Sequence, residues 1–153
     1  EAALRAKSKN ITLHIGELIE LKLDDNSFDA ITLNHVFEHV SNPKVLLKEI
    51  YRILKPGGIL MIAIPNIESW QAKAFKGNWF HLDPPRHLFF LSESSIRNQL
   101  TAFGLRHIQT QHHHFEFNPY GFQQSILNHF SSRRELLYEY LKGNKHLSSR
   151  SSY

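Results

Sequence analysis

The sequence predicts an α/β fold, a mostly parallel sheet with helices on both faces. Three observations carry this expectation. Residues 59–64, Ile-Leu-Met-Ile-Ala-Ile, run apolar without a break, the pattern of a strand buried on both sides rather than on one. An amphipathic helical segment stands directly before that run, and a strand-like segment stands before the helix. Residues 28–64 therefore read as one β-α-β unit, whose crossover is right-handed in nearly all known cases.

The elements follow in order. Residues 1–8 read as the end of a helix, and Ile11-Thr12-Leu13-His14-Ile15 as a short strand closed by Gly16-Glu17. A loop over 17–27 finishes in the turn-like Asp24-Asp25-Asn26-Ser27. Phe28 to Asn34 form the next strand. Asn42 then suits a helix N-cap, with Pro43 at the first helical position. Leu46, Leu47, Ile50, Ile53 and Leu54 define the helix's apolar face, and Lys44, Lys48, Glu49 and Arg52 the outer one. Pro56 blocks continuation, and Gly57-Gly58 supply positive φ angles for a sharp reversal. Residues 65–91 are long, irregular and aromatic, which marks a functional loop. Ser92 caps another helix, Leu91 and Ile96 staple it, Ile96, Leu100 and Phe103 line it, and Gly104 ends it. A strand over about 105–111 and a helix over 120–142 complete the chain.

Composition bounds the function. Of 153 residues, 41% are apolar and 21% charged, as in ordinary globular proteins. The chain has no cysteine, which excludes disulfides and thiolate metal sites and favours the cytoplasm. No run approaches the ~20 apolar residues of a membrane span. The net charge is +4, with Arg133, Arg134, Lys142, Lys145 and Arg150 near the end, either a solvated basic tail or a surface that steers anions. The chain starts at Glu1 and its only methionine is Met61, which leads us to expect a processed protein or a fragment. Residues 1–142 read as one partial domain and 143–153 as a polar tail.

Three strand ends carry polar groups after apolar residues: Gly16-Glu17, Asn34-His35 and Pro65-Asn66. In open parallel sheets ligands bind at such ends, so these corners are expected to wall a cleft. The stretch FDAITLNHVFEHVSNPKVLLKEIYRILKPGGILMIAIPN resembles the middle of class I S-adenosylmethionine-dependent methyltransferases. WFHLDPPRHLFFLSESSIRNQLTAFGL is similar to small-molecule methyltransferases of the ubiquinone-biosynthesis type, and the two together cover about residues 10–110.

The resemblance implies a Rossmann-like fold and a set of roles. Glu17 would contact the adenine amino group of S-adenosylmethionine and the backbone of Leu18 would face the ring. Asn34 and His35 would stand beside the methionine part. Asn66, Trp70, Trp79 and the rest of the 79–90 loop would form the substrate wall. His39 and His87 are the candidate catalytic bases, since an oxygen nucleophile of high pKa benefits from a base that titrates near neutrality. Each residue has a plainer reading beside this one: Glu17 as a turn residue, Asn34 as a strand-end cap, His39 as an orienter of the next helix, His87 as a pin for the loop, the aromatics as packing.

The family's Gly-rich loop after its first strand is absent from this chain, as is the acidic residue that holds the ribose. The N-terminal strands are therefore expected to be missing, and the chain alone to bind cofactor weakly or not at all. Methyl transfer from a sulfonium is an in-line displacement that needs no metal, and none is expected. His112-His113-His114 is not read as a metal site, because on a strand only His112 and His114 share a face. Asp83-Pro84-Pro85-Arg86 is similar to an amino-group methyltransferase motif but follows the wrong strand. The expected activity is methyl transfer to oxygen or carbon of a small molecule, without nucleic acid as partner and with no oligomeric state implied. The alternatives are a non-catalytic methyltransferase-like scaffold and an RNA methyltransferase that uses the basic C-terminal region.

Overall fold

The computed structural model describes residues 11–112 and 117–130. Among them the chain forms two strands, β1 (Phe28–Asn34) and β2 (Leu54–Ala63), and four α-helices, α1 (Pro43–Ile53), α2 (Trp70–Phe75), α3 (Glu93–Ala102) and α4 (Phe117–Phe130). Strands β1 and β2 pair in parallel, with Ile31 beside Leu60, Leu33 beside Ile62 and Asn34 beside Ala63. The expected β-α-β unit is thus present, with α1 as its crossover.

Local signals set the helix ends. The Asn42 side chain accepts from the Val45 N–H at 3.3 Å, with Pro43 opening α1. The Ser92 hydroxyl accepts from the Ser95 N–H at 3.1 Å and starts α3. The Pro-Gly-Gly reversal is drawn into β2 as an irregularity: Phe28 pairs with Leu54, Ala30 with Ile59, and Lys55–Gly58 are looped out between. Lys55 Nζ anchors that loop on the Asp29 carboxylate at 2.8 Å. Only Gly57 has the expected positive φ, at 80°. Gly58 is needed for a different reason, because a Cβ there would stand 2.9 Å from Leu54 and from the Lys55 carbonyl.

The core is Leu33, Phe37, Leu47 and Ile50, with Ile31, Leu60, Ile62, Leu91, Ile96, Leu100 and Phe103 packed against it. One sheet face is therefore covered by α1 and α3. On the other face, Ile59 and Met61 are 48% and 52% exposed, beside exposed Ala30, Thr32 and Asn34. The parallel sheet flanked by helices is as expected; the run is apolar throughout, and among the described residues the helices pack on one side of it. Two expected strands are missing. Residues 11–15 and 105–111 adopt no strand, and their side chains are largely exposed, Ile108 at 73%. Each has strand-like residues, but a strand needs a neighbour's open backbone, and neither meets one.

A further correction concerns Glu49, expected on the outer face of α1. It is buried, and its carboxylate accepts from Arg52 Nε at 3.0 Å and Nη2 at 2.6 Å. The expected first helix over 1–8, the second half of the helix over 120–142, the basic residues from Arg133 onward and the 143–153 tail lie outside the described residues. No described helix is long and apolar enough to cross a membrane.

Candidate functional site

The carboxyl end of β1 leads straight into a cluster of ionisable side chains. His35 follows Asn34 with φ 52°, a left-handed conformation that a non-glycine residue adopts at a cost. That kink turns the chain into a short 3₁₀ turn, Phe37–His39. Phe37 is driven into the core, and the same turn buries Glu38 while His39 stays at the surface.

The opposite wall comes from the Asp83-Pro84-Pro85-Arg86 turn, in which the Pro84–Pro85 peptide is cis. The Asp83 carbonyl accepts from the N–H groups of Arg86 and His87, and Arg86 Nη2 donates to Asp83 Oδ1 at 2.7 Å. The turn delivers His87 to the β1 end, where the Leu88 N–H donates to the Glu38 carbonyl at 2.7 Å. His39 Nδ1 donates to the Arg86 carbonyl at 2.8 Å, and His87 Nδ1 donates to the His81 carbonyl at 2.7 Å. The two rings lie 4.7 Å apart between centroids. Each bond places the proton on Nδ1 and leaves Nε2 as the free lone-pair nitrogen of both histidines.

Glu38 is 2% exposed. Its Oε1 accepts from His35 Nδ1 at 3.2 Å, and its Oε2 is buried with no hydrogen-bond partner. Burial works to raise its pKa. The His35 hydrogen bond, its own backbone N–H and the nearby His35 and His87 rings outweigh that, and the carboxyl sits below its ordinary range. His81 stacks nearly parallel to His35, centroids 6.3 Å apart. Burial first, then repulsion by His35 and His87, pushes the His81 imidazole down to about 4, so it is neutral at pH 7.

Aromatic residues and α4 back this wall. Trp79 is buried and meets His81 edge-on at 5.4 Å. The α4 face turned toward it is polar: Gln124, Ser125 and Asn128 are all buried. Ser125 Oγ accepts from the Phe80 N–H at 3.0 Å and Asn128 Nδ2 donates to the Asn78 carbonyl at 3.3 Å, so the helix satisfies loop backbone rather than burying an apolar stripe.

The structure therefore brings together His35, His39 and His87 among the expected site residues, with Asn34 exposed at the adjoining strand tip. It gives the others separate settings. Glu17 is exposed at the start of the 3₁₀ turn Leu18–Leu21, its N–H donating to Glu20 Oε2 at 3.2 Å, and Leu18 packs its side chain against the core. Asn66 closes a local turn by accepting from the Glu68 N–H at 2.9 Å. Trp70 is 63% exposed and meets Phe122 of α4 in a tilted ring contact, centroids 5.5 Å apart. His112 pairs with Glu93 at 3.2 Å at the surface, while His113 and His114 lie outside the described residues. Glu38 and His81 were not singled out from sequence. The signal was present in His35-Val36-Phe37-Glu38-His39, whose i, i+3, i+4 spacing stacks ionisable groups on one helical turn.

Of the residues expected to hold a cofactor, Asn34 is exposed at the paired tips of β1 and β2, whereas Glu17 is engaged in a local turn.

Residues 5–110 match the family described as a methyltransferase domain. A demethylmenaquinone methyltransferase of Listeria monocytogenes is 34% identical over 93 residues, 59% of this chain and 39% of its own length. A protein of Methanocaldococcus jannaschii is 28% identical over 109 residues, 71% of this chain and 53% of its own. This chain thus spans about two fifths to half the length of these relatives. Among solved structures, a SAM-dependent methyltransferase from Thermotoga maritima superposes with TM-score 0.56 at 28% identity, covering 67% of this chain and 49% of that one. The [4+2]-cyclase SpnF superposes with TM-score 0.53 at 24% identity, covering 67% and 36%, a likeness of fold alone.

Proposed function

The chain belongs to the methyltransferase domain family, and we propose that the protein transfers a methyl group from S-adenosylmethionine to oxygen or carbon of a small molecule. One observation carries the reading beyond family membership. His39 and His87 converge beside the β1 tip with both Nδ1 protons committed to backbone carbonyls, which leaves two Nε2 lone pairs near where an acceptor would sit. The cofactor, when bound, supplies the activated methyl group. Asn34 and His35 would hold its amino-acid end. His39 or His87 would take the proton of an acceptor hydroxyl on Nε2, while the neutral His81 and the buried Trp79 keep water from that side.

The acceptor wall is built from Trp79 and the loop of residues 80–90, with Trp70 and Asn66 at its outer margin. The adenine and ribose contacts would come in large part from sequence that this chain does not carry, since it has no Gly-rich loop. We accordingly place the cofactor-competent protein at the length of its relatives and give the chain alone little affinity for cofactor. The Listeria relative's name makes demethylmenaquinone the first acceptor to assay.

The deciding measurement is calorimetric titration of S-adenosylhomocysteine into the protein extended to the length of its relatives. The expected result is saturable binding of one equivalent. An extended protein that folds, carries the Gly-rich loop and still shows no heat of binding would overturn the enzyme reading.

A further inference from the structure

We propose that Glu38, His39 and His87 form a binding site for a divalent first-row transition cation. The proposal goes beyond methyl transfer, because cation binding can be read on the protein alone, with neither donor nor acceptor present. It also departs from the sequence-based expectation that no metal is involved.

One ligand atom from each of the three residues lies within 4.8 Å of the other two. Both imidazoles already have the support that metal-binding histidines have: one ring nitrogen donates to a backbone carbonyl, which fixes tautomer and orientation and frees the other. Glu38 provides an independent pointer. Its Oε1 is held by His35, and its buried Oε2 accepts from nothing. A buried carboxylate oxygen without a donor is costly, and a bound cation would satisfy it.

The donor set selects the class of ion. Two imidazole nitrogens and one carboxylate oxygen, with no thiolate, suit zinc, cobalt, manganese or ferrous iron better than magnesium or calcium, which prefer all-oxygen shells. Donors ~2.1 Å from a tetrahedral ion stand ~3.4 Å apart, so loading would draw the side chains together by roughly 1 Å. The exposed His39 has room for that movement. Three protein ligands leave a position open for water or for an acceptor hydroxyl. A hydroxyl coordinated there would ionise at lower pH; its O–H bond breaks, the proton passes to bulk water, and the oxygen stays on the ion as an anionic nucleophile. His39 and His87 would then act as ligands, and the ion would replace the base.

The test is titration of the metal-stripped 153-residue chain with Zn(II) and Co(II), with Mg(II) as control. The expected result is one equivalent of Zn(II) or Co(II) per chain, at least 100-fold tighter than Mg(II). His39→Ala and His87→Ala should each lower Zn(II) affinity at least tenfold, and Glu38→Gln should do the same. Replacing His112, His113 and His114 together by alanine should leave the tight equivalent in place. In the wild-type chain, Co(II) should produce paramagnetically shifted imidazole resonances from two histidines, a readout that does not depend on any variant folding. Absence of a tight equivalent in the wild-type chain would overturn the site. So would loss of that equivalent in the triple-alanine chain with its retention in His39→Ala and His87→Ala.

Discussion

Gly57 and Gly58 are neighbours kept for unrelated reasons, and substitution should separate them. Gly57 sits at φ 80° with open space where a Cβ would be, so alanine there meets only the left-handed backbone penalty. We expect Gly57→Ala to cost about 1 kcal/mol in urea unfolding and Gly57→Asn clearly less. At Gly58 a Cβ would press on the Lys55 carbonyl, which is backbone and cannot swing aside. Gly58→Ala should cost about 2–3 kcal/mol, with the local strand irregularity rearranged. Equal costs at the two positions would contradict this account. Single residues were legible in the sequence where their cause is local: Asn42, Pro43 and Ser92 cap as composition says they should. Glu38 was not, because its burial depends on Phe37 being pulled into a core that only the folded chain assembles.

At the scale of elements, α1 is fastened to the chain before β1 by one guanidinium. Arg52 reaches the Glu49 carboxylate, the Leu23 carbonyl at 2.6 Å and the Asp25 carboxylate, while the Arg52 and Ile53 carbonyls accept from Asn26 and Ser27. The Arg52 hydrogen bonds hold the Glu49 pKa below its ordinary value, outweighing its burial. A carboxyl depressed on folding contributes stability above its unfolded pKa, near 4.3, and loses it as pH falls through the folded value. Glu49→Gln should therefore cost about 1 kcal/mol at pH 7 and make the acid limb of the stability curve shallower below about pH 4. Parallel acid limbs for the two proteins would show that Glu49 titrates alike in both states. Helices were more legible than strands for a physical reason. A helix satisfies its own backbone, so the periodicity of residues 46–53 was enough, although Leu54, expected on the same helical face, opens β2 instead. The strand-like residues 11–15 and 105–111 required partners that sequence spacing cannot supply. The buried polar face of α4 was hidden too, since Gln124, Ser125 and Asn128 look like surface until the loop groups they bind are in place.

For the whole molecule, the decisive feature is a two-stranded parallel sheet with only one face covered among the described residues. Such a sheet is marginal alone, because parallel pairs are stabilised by burial on both sides. The open face carries Phe28, Ile59 and Met61, all more than a third exposed, where a water-facing surface would carry polar residues. The chain spans 39% of the Listeria relative's length, and we predict that the added sequence of a protein of that length packs on this face. This makes a comparison between two lengths of chain informative. In the 153-residue chain, Ile59→Thr and Met61→Thr should each change stability by less than about 0.5 kcal/mol, since they remove little buried surface. In a protein extended to the length of its relatives, the same substitutions should cost about 1–3 kcal/mol each, the scale of a buried apolar side chain. The short chain should also bind an apolar fluorescent dye that the extended protein does not. If both substitutions are equally mild at both lengths, the exposed face is surface by design, and the added sequence must build the cofactor cleft without covering it.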